Sequence, residues 1–248
     1  MNQFQYVGNE LETFSHAVNW KAYLRAAMAP YIAGDVLEVG AGIGATMRAL
    51  RDGGERSWTC LEPDATMAAD LARQLTGETP TTTVVRGTLA EIDAALRFDT
   101  LLYVDVLEHI EADRDEVRLA VARLRPGGHL VVLSPAHQFL YSAFDQRIGH
   151  FRRYNAGQLR ALTPAGAAVE TVHYLDATGL LLSGANRLLL RSSMPTLAQV
   201  LTWDRWFVPI SRRLDPLLGH AVGKSILAVW RRLADEPVNR EGTKALRH

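Results

Sequence analysis

The 248-residue sequence has a single cysteine, Cys60. An internal disulfide is thereby excluded, and a reducing compartment is expected. No run of about 18 apolar residues occurs, so the pattern of a membrane-crossing helix is missing. Residues 1–14 lack a basic stretch followed by an apolar one, which leads to the expectation of a cytoplasmic protein. Net charge is also missing, with 27 basic residues against 27 acidic ones. Without a global positive field, no nucleic-acid partner is expected. The eight histidines are scattered, with no HxxxH or CxxC spacing, so no metal is expected. No internal repeat or low-complexity segment is present.

What is present is enough apolar material for a full core: 48% of the residues are hydrophobic. The most informative stretch is Val36-Leu37-Glu38-Val39-Gly40-Ala41-Gly42-Ile43-Gly44-Ala45-Thr46. An apolar run meets three glycines at alternate positions, and a helix-like segment follows. This spacing predicts a buried strand, a tight loop and a helix start, a combination suited to a nucleoside-type ligand. Glu38 is the odd residue, a carboxylate inside an apolar strand. Burying it is costly without a partner, and a cationic group or ribose hydroxyls would supply one.

Further strands are predicted at residues 58–61, 81–85, 99–104 and 129–133, with helices at 65–75 (capped by Asp64), 89–96 and 113–124. Residues 125–128 read as a turn. The alternation implies a parallel sheet with helices on both faces, and ligands bind such sheets at the carboxyl ends of the strands. Before the first strand, residues 16–31 read as a helix with Ala17, Trp20, Tyr23, Leu24 and Ala27 on one face. It either covers the sheet or forms a lid carrying Tyr6, Phe14 and Trp20. Beyond residue 134 come a polar, aromatic loop, a short helix at 156–162 capped by Asn155, and strands at 168–174 and 225–230. Roughly fifty residues separate these two strands, too many for a plain connection. They read as apolar helices interleaved with arginines.

As a set, several motifs resemble the class I S-adenosylmethionine-dependent methyltransferases. These are Glu38 before the Gly40-x-Gly42-x-Gly44 loop, Glu62 at the end of the second strand, Phe98 to Ile110 reading FDTLLYVDVLEHI, and Leu124 to Gly128 reading LRPGG. The resemblance covers residues 35–135 and extends loosely through GHFRRY at 149–154. It implies an α/β fold: a doubly wound, mostly parallel, seven-stranded Rossmann-like sheet with an antiparallel last strand. A helical cap is inserted before that strand. The expected divisions are an N-terminal helical lid at 1–33, the cofactor-binding core at 34–174, the cap at 175–222, the last core strand at 223–234 and a flexible tail at 235–248.

The resemblance further implies S-adenosylmethionine as cofactor and S-adenosylhomocysteine as product. Glu38 would sit near the methionine amino group, and Gly40, Ala41, Gly42 and Gly44 would wrap the amino acid and ribose. Glu62, followed by Pro63, would accept from both ribose hydroxyls. Thr88 and Leu89 would flank the adenine, although many relatives carry an acid at the Thr88 position. Tyr103, Val104, Asp105 and His109 would line the methionine side.

Methyl transfer needs alignment, and a base only where the nucleophile keeps its proton. His137 and His150 are the candidate bases; either is otherwise a structural histidine. Tyr6, Trp20, Arg153 and Tyr154 are candidate substrate contacts. Asp145 with Arg152 or Arg153 would alternatively form a structural ion pair. The expected substrate is a small-molecule O or N nucleophile (natural product, sugar or lipid-linked glycan), anionic in one variant, acted on by a monomer or homodimer. Arginines along the cap leave peripheral membrane contact open. An NAD-type oxidoreductase is the alternative enzyme, but Ala45 stands where its third glycine belongs. A non-catalytic nucleoside-binding module of the same fold is the other alternative.

Overall fold

A computed structural model describes residues 10–76, 81–189 and 196–234. The expectations for Tyr6 and for the 235–248 tail lie outside the described residues. The chain opens with α1 (Glu10–Ser15) and α2 (Val18–Met28), then alternates through β1 (Asp35–Val39), α3 (Ala45–Leu50), β2 (Ser57–Glu62), α4 (Ala65–Leu75), β3 (Thr82–Arg86) and β4 (Phe98–Val104). It continues with α5 (Asp113–Arg123), β5 (Leu124–Pro135), α6 (Ala143–Arg147), α7 (Ala156–Ala161) and β6 (Ala167–Leu175). Helices α8 (Ala177–Leu189), α9 (Leu197–Thr202) and α10 (Val208–Leu217) precede β7 (Ser225–Arg232). A five-residue π-helical turn, Trp203–Phe207, joins α9 to α10.

The strands form one seven-stranded sheet in the order β3-β2-β1-β4-β5-β7-β6. All described pairs are parallel except those made by β7, which runs antiparallel to both β5 and β6. Strand residues alternate between two apolar layers, as the period of two requires. Leu37, Val39, Leu101, Tyr103, Leu130, Val132 and Trp230 pack with Val117, Ala120 and Val121 of α5 and with Leu159 of α7. Val36, Trp58, Cys60, Leu102, Val131 and Val229 pack on the other face with Tyr23, Leu24 and Met28 of α2, Met47 of α3, Leu71 of α4 and Val208 of α10.

Two local expectations are corrected. Residues 89–96 form turns, not a helix. Asp93 turns the chain instead: its carboxylate accepts from the Ala95 N–H at 2.9 Å and its carbonyl from the Leu96 N–H, while Arg123 donates to the Ile92 and Asp93 carbonyls. Residues 125–128 fall within the extent of β5 and are skipped in its register with β4. Gly128 is fixed there by contact, since a Cβ would stand 2.7 Å from the Asp99 carbonyl oxygen. Arg125 ties the same corner to Asp99 and Asp35, at the end of the sheet away from the carboxyl ends of the parallel strands.

The helices between β6 and β7 are joined to the N-terminal helix by buried acids. Helix α2 has Ala17 at its N-cap and no capping side chain there. Asp204 supplies the cap from far along the chain, accepting from the Asn19 and Trp20 backbone N–H groups at 3.1 and 2.8 Å. Asp215, fully buried, accepts from the Tyr23 hydroxyl at 2.8 Å and from the Asp176 and Ala177 N–H groups at 2.6 and 3.1 Å. Asp215→Ala would strand three donors in the interior. A loss of about 3 kcal/mol is expected in urea unfolding, with a smaller loss for Asp215→Asn, which keeps an acceptor.

Candidate active site

The carboxyl ends of the parallel strands carry the unusual backbone of the molecule. After β1, Gly40, Gly42 and Gly44 all have positive φ, at 69°, 53° and 74°. Gly40 is also held by contact: a Cβ would come 2.6 Å from the Val106 side chain. The Gly40 and Ala41 N–H groups donate to the Leu61 carbonyl, which ties the loop to the end of β2. Glu62 completes that tie. One of its carboxylate oxygens accepts from the Gly42 N–H at 2.7 Å and the other from the Asp64 N–H at 2.8 Å. Asp64 in turn caps α4 through the Thr66 and Met67 N–H groups. Burial pushes the Glu62 carboxyl upward, and the two backbone donors oppose that shift. Leu11 of α1 lies against Gly42, so the N-terminal segment touches the glycine loop directly.

Glu38 has a partner the linear sequence does not reveal. The Trp58 indole N–H of β2 donates to it at 2.9 Å. Among the described residues its other oxygen has no partner. Burial, with the Glu62 charge adding to it, pushes the Glu38 carboxyl up to about 8 against the pull of the indole bond.

Three more strands end on left-handed, non-glycine residues: Asp105 after β4 (φ 54°), His137 after β5 (φ 66°) and Asp176 after β6 (φ 67°). Each costs roughly 1–2 kcal/mol. Their concentration at one sheet edge marks that edge as the functional one. Asp105 is open to water, yet its surroundings push its carboxyl up to about 6, with His150, Lys224 and Arg153 pulling the other way. Lys224, just before β7, reaches the same edge because β7 runs antiparallel. Its ammonium lies 5.3 Å from the Trp203 ring and is depressed by burial, with Asp176 and Asp105 opposing.

The sequence-derived candidates divide by what their side chains do. Pro63 follows Glu62 in the turn into α4. Thr88 is exposed, and its N–H and hydroxyl both donate to Glu91. The Leu89 and Tyr103 side chains lie in the core, and the Tyr103 hydroxyl donates to Glu116 of α5 at 2.6 Å. These two can offer a ligand only backbone. Val104, partly buried, packs on the α2 side of the sheet. Trp20 packs against Trp203 at 5.6 Å between ring centres, joining α2 to the inserted helices. Tyr154 is buried, with its hydroxyl on Asp113 at 2.9 Å, so it is not a pocket wall. Arg153 is committed to Asp145 through two hydrogen bonds of 2.8 and 3.1 Å, and Arg152 pairs with Asp113.

The histidines separate as well. His137 stacks on Tyr174 at 4.9 Å, and its Nε2 is buried with no hydrogen-bond partner among the described residues. Desolvation lowers its pKa, which keeps it neutral near pH 7. The His150 Nδ1–H donates to the Asp145 carboxylate at 2.9 Å, and the His150 ring meets that of His109 at 4.5 Å between centres. Sequence reasoning missed Lys224, Asp176 and the buried face of Glu108. Lys224 was legible only as the residue before the last strand. Asp176 and Glu108 depend on partners far away in the chain.

Sheet order and strand directions together define a doubly wound α/β fold. Residues 37–130 match a family model described as a methyltransferase domain, the class to which the sequence motifs point. Among solved structures it is similar to an S-adenosylmethionine-dependent methyltransferase from Mesorhizobium loti, with 19% identity, 88% of this chain and 100% of that one covered, and a TM-score of 0.59. It is similar also to the N-methyltransferase NodS from Bradyrhizobium japonicum WM9, with 16% identity, 89% and 97% coverage, and a TM-score of 0.55. The [4+2]-cyclase SpnF shares the fold at 17% identity, 86% and 80% coverage, and a TM-score of 0.57. No curated protein sequence matches the chain. Among the described residues no helix is long and apolar enough to cross a membrane.

The Glu38 geometry sets a pH dependence. Its folded-state value, about 8, lies above the ordinary 4.5. The folded protein therefore holds this proton more tightly than the unfolded chain, and stability falls as pH rises from about 4.5 to about 8. Glu38→Gln keeps an acceptor for Trp58 and removes the titration. The ligand-free variant is expected to be more stable than the parent at pH 8, by on the order of 2–4 kcal/mol. The gap should close near pH 4.5, as read by denaturant unfolding across pH.

Proposed function

We propose that the protein transfers a methyl group from S-adenosylmethionine to an oxygen or nitrogen of a small molecule. The observation that carries this reading is the disposition of Glu62 opposite the three-glycine loop, with its carboxylate already oriented by the Gly42 and Asp64 N–H groups. A carboxylate so held keeps lone pairs for a cis-diol. The residues fit the cofactor in a second respect. Glu38 retains an oxygen without a partner among the described residues, and a cationic amine beside it would favour the ionised carboxylate that burial disfavours.

When bound, S-adenosylmethionine supplies an electrophilic methyl group on a sulfonium that leaves as a neutral thioether. Glu38, Gly40, Ala41, Gly42, Gly44, Glu62 and the backbone at Thr88 and Leu89 would hold it. The protein contributes alignment, which in ideal cases is worth about 7–11 kcal/mol. Asp105, His137 and Lys224 surround the cleft in front of that site. His137, neutral near pH 7, is the group best suited to take a proton from a hydroxyl or ammonium acceptor. His150 is less free to act alone, since Asp145 holds one of its ring nitrogens. The helices between β6 and β7 (residues 175–222) would serve as the substrate cap, with α1 and α2 as lid. Their shared acids, Asp204 and Asp215, support one moving or rigid unit.

Isothermal titration tests the reading. The parent protein is expected to bind S-adenosylhomocysteine, with Glu62→Ala weakening it at least about 30-fold, the scale of losing charge-assisted bonds. Binding of NADH in place of S-adenosylhomocysteine would reassign the site. Unchanged S-adenosylhomocysteine binding by Glu62→Ala would remove Glu62 from it.

A further inference from the structure

Sequence spacing gave no reason to expect a metal, because His109 and His150 stand 41 positions apart. The fold brings them together with Glu108. One ligand-capable atom of each residue lies within 4.8 Å of the others. Glu108 Oε1 and His150 Nε2 are 3.8 Å apart, and the two imidazole rings meet edge to face at 4.5 Å between centres.

Three observations distinguish this cluster from a chance gathering. First, Glu108 is fully buried, and its Oε1, the atom turned toward the imidazoles, has no hydrogen-bond partner among the described residues. Its other oxygen is oriented by the Ser134 hydroxyl at 2.9 Å. A buried carboxylate with one arm fixed and one arm empty is costly unless a cation meets it. Second, Asp145 lies 2.9 Å from His150 Nδ1, and Arg153 grips the same carboxylate. That leaves Nε2 facing Glu108. A carboxylate behind the far nitrogen of a histidine is how proteins orient an imidazole toward a metal. Third, the backbone reinforces the juxtaposition. The Phe151 N–H donates to the Glu108 carbonyl at 2.9 Å, and the Tyr141 hydroxyl donates to the His150 carbonyl at 2.6 Å.

We infer that Glu108, His109 and His150 form a binding site for a first-row divalent transition-metal ion of the zinc class. Two imidazoles and one carboxylate suit such an ion, not magnesium or calcium. Ligands at about 2.0–2.1 Å from a tetrahedral zinc stand about 3.3 Å apart. The observed 3.8 Å needs a contraction of about half an ångström, and no pair of the three ligand atoms exceeds 4.8 Å, a closure of at most about 1.5 Å. Three protein ligands leave at least one position open. An acceptor oxygen held there would lose its proton more readily. This last role rests on the transferase reading, whereas the ion site does not.

Both imidazoles must be neutral and Glu108 ionised to ligate, so zinc binding weakens as the pH falls.

The test uses the full chain, stripped with chelator and without cofactor. Zinc chloride is titrated in by calorimetry, and cobalt chloride in parallel by visible absorption. The expected result is one site per chain and cobalt d–d bands of a low-coordinate site. Glu108→Gln keeps the Ser134 bond and nearly the same shape. It and His109→Asn are each expected to weaken zinc about 100-fold, and Asp145→Asn about 10–100-fold through loss of imidazole orientation. Unchanged zinc affinity in folded Glu108→Gln and His109→Asn, or cobalt bands typical of an all-water ion in the parent, would overturn the proposal. If a variant melts below the working temperature, the parent's cobalt spectrum decides alone. Failure to bind S-adenosylhomocysteine would leave these readouts untouched, so the two proposals fail separately.

Discussion

The structure depends on one requirement: a carboxylate at the end of a buried strand must find N–H donors. Glu62 finds them from two directions. Gly42 comes from the loop after β1, and Asp64 comes from the turn that starts α4. The single side chain thereby fixes the distance between two strand ends and orients the glycine loop. It also links that loop to the cap of the following helix. Glu38 repeats the arrangement one strand inward with an indole in place of a peptide. In both cases a carboxyl that burial disfavours as an anion is kept at the carboxyl ends of the parallel strands. The same edge holds Asp105, His137 and Asp176 in strained backbone. Strain and buried charge accumulate at the ligand end of the sheet, whereas the opposite end carries well-paired ions such as Asp35, Asp99, Arg56 and Arg125.

Acids also organise the region above the sheet. Asp204 caps α2, Asp215 gathers the start of α8 and Tyr23, and Asp176 accepts from Ser211, Gly179 and the Trp203 indole. All but the Gly179 bond join segments remote in sequence. The N-terminal helices and the helices before β7 thus behave as one layer, although nearly the whole sheet is threaded between them. Lys224 supplies positive charge beneath that layer, near both Asp176 and Asp105.

The sheet could be read from the sequence because its signals are local. Apolar runs, a glycine triplet and Asp64 before an apolar helix each occupy a short window, and the parallel sheet follows from their alternation. Asn155 was legible as a cap for the same reason. Where reading failed, distant groups had intervened. Residues 89–96 have helical composition, but Asp93 closes a tight turn through its side chain and carbonyl, and Arg123 anchors that turn from α5. Tyr154 looked like a pocket residue in a polar motif, yet Asp113, 41 residues away, holds its hydroxyl inside. Glu38 seemed unpartnered because Trp58 lies on another strand. The Glu108, His109 and His150 cluster was invisible for that reason too: no spacing rule links the end of β4 to a loop beyond β5.

The helices before β7 leave the sheet at Asp176 and return at Lys224, and these two residues are hydrogen-bonded to each other, Lys224 N–H to Asp176 carbonyl at 3.0 Å. The whole excursion is therefore pinched shut at its neck. A loop closed in this way changes length cheaply, since its closure entropy grows only with the logarithm of its size. What the sheet does depend on is a few contacts that reach back from the excursion: Val208 in the core beneath α2, Asp204 at the α2 N-terminus and Asp215 on Tyr23. Residues of the excursion outside those contacts can change in number while Glu62, the glycines and the strand register stay in place.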